Sequence, residues 1–363
     1  MSDTGGTGEG PPTIAKIASV VGVSPATVSR AFGHPELLSP ATVERVVSAA
    51  RELGYTPNSA ARALSTGRHG NIALIVPDIA NPFFPPLIRA AQQAADAAGF
   101  CVFLGDCGER PAREATLADK FAAQVDGLVL ASSRSPADGI HALARRRPLV
   151  LVNRDVDGVP RVLINTAGAM RDAVAHLAGL GHKKIAYVSG PASSWSSQQR
   201  RKAVRQAAEQ HGTQPLVLPA GEPTYAVGEK AVVKILEGGC TAAVAFDDLV
   251  AQGIMAGLAS RGVAVPGQFS VVGCDDTLGA ITYPPLTTIA APAADAGRVA
   301  VELLLRVLAS SSAGERARDD RYSLDSRLVV RATTGPAPSS PSSQSSRSSR
   351  SSRSSRARRA GAQ

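Results

Sequence analysis

The 363-residue sequence predicts an α/β protein in which a small all-helical N-terminal unit precedes two doubly wound lobes, each built on a parallel sheet. Two observations predict this fold class. Near the N-terminus, two short helical patterns are joined by a tight turn, and each begins at a residue type that caps helices well. From residue 71 onward, short apolar runs alternate with helical stripes, as in βαβ units.

The composition is that of an ordinary globular protein with more than one domain. Hydrophobic residues make up 44% of the chain and charged residues 19%, and no apolar run reaches the length of a transmembrane helix. The N-terminal residues lack the basic start and the apolar core of a signal peptide, so we expect a cytoplasmic location and no membrane partner. We expect no cofactor, and buried free thiols rather than disulfides or a zinc site at Cys101, Cys107, Cys240 and Cys274.

The formal net charge of +9 is by itself weak evidence for a nucleic-acid partner. Six arginines and no acid lie between Arg347 and Arg359, so two thirds of the excess charge comes from this short segment. Residues 336–363 form a Ser/Arg repeat that cannot bury a core, and we expect them, like residues 1–11, to be disordered. Any argument for DNA binding therefore rests on the N-terminal helices.

The stretch TIAKIASVVGVSPATVSRAFG, residues 13–33, predicts two helices joined by a turn. Thr13 is a suitable N-cap for the first helix, and Gly22 ends that helix. Ser24 is the N-cap of the second helix, which has Pro25 at its first position, where the missing N–H has no cost. The alternative interpretation is a generic pair of amphipathic helices.

The second predicted helix has an unusually small outward face. Val28 and Phe32 are expected to face inward, whereas the outward residues are small or hydrogen-bonding and end in one arginine, Arg30. A small face lets a helix lie deep in the roughly 12 Å wide major groove, where an arginine reaches a phosphate or the acceptor edge of a guanine. The candidate contacts with double-stranded DNA are Thr13, Ser24, Pro25, Ala26, Thr27, Ser29 and Arg30.

Two further helical segments follow. Ser39 and Pro40 predict a third helix that ends at Gly54, so residues 12–57 are expected to form a three-helix headpiece. Residues 58–68 span about two turns, which is too short for an isolated helix in water, so this segment should form only when something holds it. An exposed leucine on such a segment can wedge into the minor groove, although a flexible linker with an incidental leucine is the alternative. The candidate DNA contacts here are Asn58, Arg62 and Leu64.

Residues 70–335 are expected to form the two lobes. In the first lobe, helices near residues 89–98, 112–123 and 137–145 separate four predicted buried strands, NIALIV, CVFL, GLVLA and LVLV. In the second lobe, helices near residues 169–180, 198–211, 225–236 and 249–261 separate strands near residues 184–188, 215–218, 242–245 and 270–273. The cleft between the strand ends of the two lobes is the expected ligand site.

Aromatic and charged residues follow several of these strands. Phe83 and Phe84 fit a stacking wall for a sugar ring or a base, and they fit ordinary core packing equally well. Arg200 can bind hydroxyls or a carboxylate with its fork of N–H donors, and Trp195 offers a second stacking face, although this basic segment can also be a solvated surface. The carboxylates at strand ends, which commonly accept hydrogen bonds from sugar hydroxyls, are Asp247, Asp248, Asp275 and Asp276.

Two stretches, VGVSPATVSRAF and LSPATVERVVSAARELGYTPNSAARAL, resemble the LacI family of bacterial transcription regulators, and the resemblance extends to about Thr334. It implies a homodimer on DNA, in which residues 58–68 form a hinge helix that pairs across the dimer and Leu64 intercalates at the operator centre. It also implies the fold of periplasmic sugar-binding proteins, with three chain crossings between the lobes. We place these crossings near Leu180, Ala291 and Leu324.

The same resemblance implies a small-molecule effector in the cleft. Phe83 and Phe84 match positions near the effector, Arg200 matches the effector-binding arginine, and Asp275 matches the stronger carboxylate contact.

The sequence departs from the family pattern at three places in the cleft. Asn165-Thr166 stands where Asp-Asn is usual, Cys274 where an aromatic residue is usual, and Asp247 where an asparagine is usual. Because these residues vary with the effector, its class stays open among sugars, sugar derivatives and nucleosides. The candidate effector-binding residues are Phe83, Phe84, Asn165, Trp195, Arg200, Asp247 and Asp275.

We therefore expect a sequence-specific DNA-binding regulator, a metabolite-responsive repressor that binds a pseudo-palindromic operator as a dimer. An activator, or a global regulator with a protein co-effector, is an alternative that the sequence leaves open. A solute-binding transport protein shares the cleft but lacks a helical headpiece. No Ser/His/Asp set, phosphate-binding loop or metal-spaced histidine cluster is visible in the sequence, so we expect no enzyme and no catalytic or metal-binding residues.

Overall fold

The computed structural model describes residues 12–55, 68–312 and 319–338. These residues form a helical headpiece and two α/β lobes, which confirms the predicted fold class. The predicted hinge residues Asn58, Arg62 and Leu64 lie outside the described residues, as do residues 1–11 and most of the Ser/Arg segment.

The headpiece consists of α1 (Ile14–Val21), α2 (Pro25–Gly33), a short 3-10 helix (Pro35–Leu37) and α3 (Pro40–Glu52). The side-chain oxygens of Thr13, Ser24 and Ser39 accept hydrogen bonds from backbone N–H groups of the first turns, so the three predicted N-caps are confirmed. One side chain from each helix is fully buried at the centre, namely Ile17, Val28 and Val46.

The first lobe is built on a fully parallel six-stranded sheet in the order β11-β5-β4-β3-β1-β2. Its strands are β1 (Asn71–Val76), β2 (Cys101–Asp106), β3 (Gly127–Ala131), β4 (Leu149–Val152), β5 (Arg161–Asn165) and β11 (Arg321–Asp325). Its helices are α4 (Phe84–Ala97), α5 (Pro111–Ala122), α6 (Ala137–Arg146) and α11 (Ala293–Ser312).

The second lobe has a six-stranded sheet in the order β12-β10-β9-β8-β6-β7, in which only β12 runs antiparallel to its neighbour. Its strands are β6 (Lys184–Ser189), β7 (Gln214–Pro219), β8 (Ala242–Ala245), β9 (Ser270–Asp275), β10 (Thr287–Ala290) and β12 (Arg327–Val329). Its helices are α7 (Ala167–Gly179), α8 (Trp195–Gln210), α9 (Tyr225–Glu237) and α10 (Asp248–Ala259).

The chain crosses between the lobes three times. The crossings at Ala291, between β10 and α11, and at Ser326, between β11 and β12, agree with the predicted positions to within a few residues. The predicted crossing near Leu180 is wrong, because the chain already crosses at Asn165-Thr166, between β5 and α7. Helix α7 belongs to the second lobe, since its buried face packs in the same cluster as Tyr187 of β6.

The prediction that CVFL is a buried strand is also wrong. Strand β2 lies at the edge of its sheet and pairs only with β1, so its side chains are largely accessible. Cys101 is therefore exposed, whereas Cys107, Cys240 and Cys274 are buried as expected. Within the described ranges, no helix is long and apolar enough to cross a membrane.

Candidate functional site

Helix α2 presents the small face that the sequence predicts. Pro25, Ala26, Ser29 and Arg30 are exposed, and Val28 is buried on the opposite side. Thr27 is half-buried, and its hydroxyl shares a 2.9 Å hydrogen bond with Ser24, whose own oxygen also accepts from the Thr27 N–H. The exposed face therefore combines one guanidinium with small groups that do not obstruct a close approach.

A side chain outside the predicted set joins two of the headpiece helices. Arg45 of α3 donates a 2.6 Å hydrogen bond to the carbonyl of Val21, the last residue of α1. This contact satisfies one of the carbonyls that a helix leaves unpaired at its C-terminus, and it places a positive charge where the helix dipole favours one.

A pocket lies in the cleft between the two lobes, at the carboxyl ends of their strands, where doubly wound folds bind ligands. Its empty volume is about 390 Å³, open solvent at its mouth included. Both lobes contribute to its wall. The first lobe supplies Asn81, Phe83, Phe84, Glu109, Ser132, Arg134 and Asn153, and the second lobe supplies Ser194, Ser196, Arg200, Pro223, Phe246, Asp247 and Asp275.

Arg200 of α8 is held in place by polar contacts on three sides. Its guanidinium donates to the Phe246 carbonyl at 2.5 Å, to Thr166 Oγ1 at 3.2 Å and to Asp275 Oδ1 at 3.3 Å. The guanidinium also lies 4.8 Å from the centre of the Phe246 ring. Burial lowers the pKa of Arg200, but the surrounding Cys274 and carboxyl groups outweigh burial and hold the pKa above its usual value.

Asp275 and Asp247 are both buried beside Arg200. Asp275 ends β9 with a positive φ of 106°, a conformation that is strained for a residue with a side chain. Burial raises the pKa of the Asp275 carboxyl, and the adjacent Arg200 opposes that rise. Burial also raises the pKa of Asp247 to about 6.

Asp247 connects the two lobes directly. Its Oδ1 accepts from the Val250 N–H at 2.8 Å, which caps α10. Its Oδ2 accepts from Asn81 Nδ2 of the first lobe at 3.0 Å, and this bond is buried in the pocket and separate from the three chain crossings. Asn81 Oδ1 in turn accepts from the Phe83 N–H at 3.0 Å, so the turn before α4 fixes the Asn81 side chain.

The first-lobe wall contains a second ion pair. Glu109 accepts from Arg134 Nε at 2.6 Å and from Arg134 Nη2 at 2.9 Å, a bidentate arrangement. Arg134 Nη1 donates to the Ser132 carbonyl at 2.6 Å. Outside the pocket wall, the buried Glu114 accepts from the Ser133 hydroxyl and from the Arg134 N–H, which holds this loop in position.

The two phenylalanines belong to both the pocket and the core. Phe83 and Phe84 line the cleft, and they are also members of the buried cluster of the first lobe. Their ring centres are 5.1 Å apart and the rings are nearly perpendicular. The two interpretations left open by the sequence are therefore compatible.

Five of the seven predicted effector residues come together in the pocket: Phe83, Phe84, Arg200, Asp247 and Asp275. The predictions for Asn165 and Trp195 are not supported. Asn165 is exposed at the first crossing, where its amide donates to Asp325. Trp195 is half-buried outside the pocket wall, because Ser196 and Arg200, four residues apart, share the helix face that points into the cleft.

Sequence reasoning missed several residues of the pocket wall. Most of them follow a strand of the parallel sheets, as Asp247 and Asp275 do, so the rule that found the aspartates also applies to them. The missed residues are Asn81, Glu109, Ser132, Arg134, Asn153, Ser194, Ser196, Pro223 and Phe246.

Comparison with known proteins places the chain in a family. Residues 13–58 match the family model described as bacterial regulatory proteins, lacI family, and residues 174–334 match a periplasmic binding protein-like domain. The transcriptional repressor CytR of Escherichia coli K12 is 34% identical over 335 residues, which cover 90% of this chain and 97% of CytR. The chain belongs to the LacI family. The transcriptional regulator DegA of Bacillus subtilis is 31% identical, over 89% of this chain and 98% of DegA.

Solved structures of LacI-family proteins share the architecture. The Lac repressor dimer bound to operator and an anti-inducer is 28% identical with a TM-score of 0.78, covering 90% of this chain and all of that one. A complex of the transcriptional regulator CelR with cellobiose is 30% identical with a TM-score of 0.65, covering 89% and 99% of the two chains. The named relatives are regulators and not enzymes, which confirms the prediction of a non-catalytic protein.

Proposed function

We propose that this LacI-family protein is a cytoplasmic repressor that binds a pseudo-palindromic DNA operator as a homodimer. Its affinity for the operator falls or rises when a sugar-like molecule enters the interlobe pocket. The observation that carries the proposal is the pocket itself, where Arg200, Asp247 and Asp275 of one lobe face Phe83 and Phe84 of the other. This pocket occurs in a chain whose DNA-recognition helix, α2, has an exposed face of small residues.

The headpiece, residues 12–57, supplies the DNA contacts in this proposal. Exposed groups of α2 meet base edges and phosphates, with Pro25 and Ala26 tuning the choice of sequence and Arg30 reaching furthest. Two headpieces related by the dimer two-fold axis require two half-sites related in the same way. The hinge segment, residues 58–68, would bring Asn58, Arg62 and Leu64 to the minor groove between them.

An exposed apolar surface supports the homodimer. In the loop between β9 and β10 of the second lobe, Ile281 is 80% exposed and Tyr283 is 98% exposed. Large apolar side chains that project this far commonly mark protein interfaces. The Lac repressor neighbour is a dimer on its operator.

The effector is expected to be sugar-like. The relatives include a ribose operon repressor of Halalkalibacterium halodurans, 32% identical over 330 residues, and the CelR–cellobiose complex. Aromatic rings beside carboxylates and guanidiniums fit the apolar faces and the hydroxyl groups of a sugar. Ligand binding changes DNA affinity only by its differential affinity for the two lobe arrangements, typically about 1–3 kcal/mol.

The experiment that tests this function selects DNA from a random pool with the full-length protein. An inverted repeat should be enriched, and the enriched fragment should bind more tightly than random duplex at physiological salt. A thermal-shift screen of sugars, sugar derivatives and nucleosides on the same protein should then find ligands that change operator affinity. Equal affinity for selected and random duplex, with and without ligands, would contradict the proposal.

Replacing Arg30 with alanine should weaken operator binding by about 1–3 kcal/mol, because a single arginine is the long donor on the exposed face of α2. Fluorescence anisotropy with the selected operator measures the loss. Arg51→Ala on α3 removes the same charge outside that face and should have a much smaller effect. An equal loss from both variants would show that Arg30 acts only through net charge.

Replacing Leu64 with alanine should weaken specific operator binding and leave ligand affinity almost unchanged. Leu64 lies outside the described residues, so this prediction rests on the sequence of the hinge segment. Operator affinity by anisotropy and ligand affinity by calorimetry separate the two effects. Equal losses in both would contradict the hinge assignment.

A further inference from the structure

The charged groups of the interlobe pocket are unevenly paired. Three carboxylates and two guanidiniums line it. Arg134 is already held by Glu109 at 2.6 and 2.9 Å, and Arg200 is held by Asp275 at 3.3 Å. One carboxylate, Asp247, is left without a guanidinium of its own.

The hydrogen-bond partners of Asp247 are neutral. Its two oxygens accept from the Asn81 amide and from the Val250 N–H, and the residue is 1% exposed. Across residues 12–55, 68–312 and 319–338, no basic side chain forms an ion pair with it. A buried carboxylate whose hydrogen-bond partners are all neutral favours a ligand that brings further hydrogen-bond donors or positive charge to it.

We propose that the pocket selects polyhydroxylated effectors that are uncharged or cationic, rejects phosphorylated and carboxylated ones, and that Asp247 is the group that sets this choice. Asp247 Oδ2, which now accepts from Asn81, accepts from a hydroxyl or ammonium group of the effector. This inference rests on the proposed function, and it narrows the class of ligand that the pocket takes.

The ionised groups of the pocket wall oppose an anionic ligand. With every group ionised, the five charged residues of the wall carry a net charge of −1, and a single proton on Asp247 or Asp275 makes the wall neutral. In the ionised state both guanidiniums are already paired with a carboxylate, so neither is free to hold an anion. An anionic ligand must therefore take an arginine away from its carboxylate or bring a further proton, and both have an unfavourable free energy.

Matched ligand sets test the proposal on the full-length protein. The probes are glucose, glucosamine, glucuronate and glucose 6-phosphate, ribose and ribose 5-phosphate, and nucleosides with their monophosphates. Thermal shift followed by calorimetry should give at least one neutral or cationic ligand, and its anionic counterpart should bind weaker by about tenfold or more. Asp247→Asn, which keeps the shape of the side chain, should reduce this discrimination by about tenfold.

The control is Asp119→Asn on α5. Asp119 is exposed and pairs with Arg146 at 2.7 Å on the surface, so its removal should leave the discrimination unchanged. Three results would overturn the proposal: an anionic probe that binds wild type as tightly as its neutral counterpart, unchanged discrimination in Asp247→Asn, or no binding by any neutral or cationic probe.

A ligand-free measurement examines the buried charge of Asp247 independently. Burial raises the pKa of Asp247 from 3.8 to about 6, so between these values the folded protein holds this proton more tightly than the unfolded chain does. The contribution of Asp247 to stability therefore falls as the pH rises through that window. The melting temperature of Asp247→Asn, relative to wild type, should be higher at about pH 7.5 than at about pH 4.5. The same difference at both pH values would overturn the assignment.

Operator binding by the same preparations distinguishes a failure of the selection by Asp247 from a failure of the proposed repressor function. A protein that binds its operator but responds only to anionic ligands overturns the selection by Asp247 and leaves the repressor function standing. A protein that prefers no inverted repeat over random duplex contradicts the proposed function itself.

Discussion

Arg200→Ala is expected to abolish the effector response and to destabilise the second lobe. The substitution removes the donor that joins the Phe246 carbonyl, Thr166 and Asp275, and it leaves two buried carboxylates without their nearest cation. Removing one partner of a buried ion pair typically costs about 3–5 kcal/mol. Urea denaturation measures the stability, and operator release by the effector, assayed well below the melting temperature, measures the response.

Two further variants test whether the guanidinium of Arg200 itself is required. Arg201→Ala removes an adjacent, half-buried arginine that the pocket wall does not include, and it should leave the response intact. Arg200→Lys should recover little of the response, because an ammonium group cannot donate in three fixed directions as the guanidinium does. A normal dose-response curve for Arg200→Ala would remove Arg200 from the effector site.

Asn81→Asp is expected to push the two lobes apart. The introduced carboxylate keeps the oxygen that accepts from the Phe83 N–H, so the turn before α4 is preserved. Its second oxygen replaces the amide that lies 3.0 Å from Asp247 Oδ2. Above the pH at which the two carboxyl groups stop sharing a proton, two buried like charges at this distance repel strongly. The interlobe distance should become longer and more widely distributed, and effector affinity should fall by about tenfold or more.

The double variant Asn81→Asp/Asp247→Asn should restore the bond with its donor and acceptor exchanged. The amide introduced at position 247 can still cap α10 with its oxygen while its nitrogen donates across the cleft. Spin labels at Gln92→Cys on α4 and Glu209→Cys on α8, in a background where the exposed Cys101 is serine, report the distance between lobes. Equal distance distributions in wild type and Asn81→Asp would contradict an interlobe role for this bond.

Most of the fold was predictable from local sequence signals. Ser-Pro pairs identify the starts of α2 and α3, and uninterrupted apolar runs identify the central strands, because strands buried on both faces carry few polar residues. Strand β5 was missed because it begins with Arg161, a residue buried only through its ion pairs with Asp155 and Asp319. The sequence cannot reveal those partners before the fold brings them together.

The C-terminal elements carry weaker signals. Strands β11 and β12 are separated by a single residue, Ser326, so no turn motif marks the boundary between them. Their residues are exposed or half-buried, so no continuous apolar run identifies either strand. They lie in different sheets, which only the tertiary structure can show.

The pocket was predictable to the extent that its residues follow strands. Asp247 and Asp275 were found in this way, whereas the resemblance to the LacI family chose Arg200 over its basic neighbours. Arg134 depends on Glu109 from another loop for its position. The direction of the Trp195 side chain depends on the rotation of α8 about its own axis. Sequence spacing alone does not determine that rotation relative to the opposite lobe.

The three crossings also determine the order in which a nascent chain can mature on the ribosome. The headpiece core is complete once Tyr55 has been synthesised. Neither lobe is complete until the final strands, Arg321–Asp325 for the first and Arg327–Val329 for the second, have been added. Premature termination between these points therefore yields a polypeptide that keeps helix α2 and lacks at least one strand of the two sheets, so regulation through the lobes requires translation past Val329.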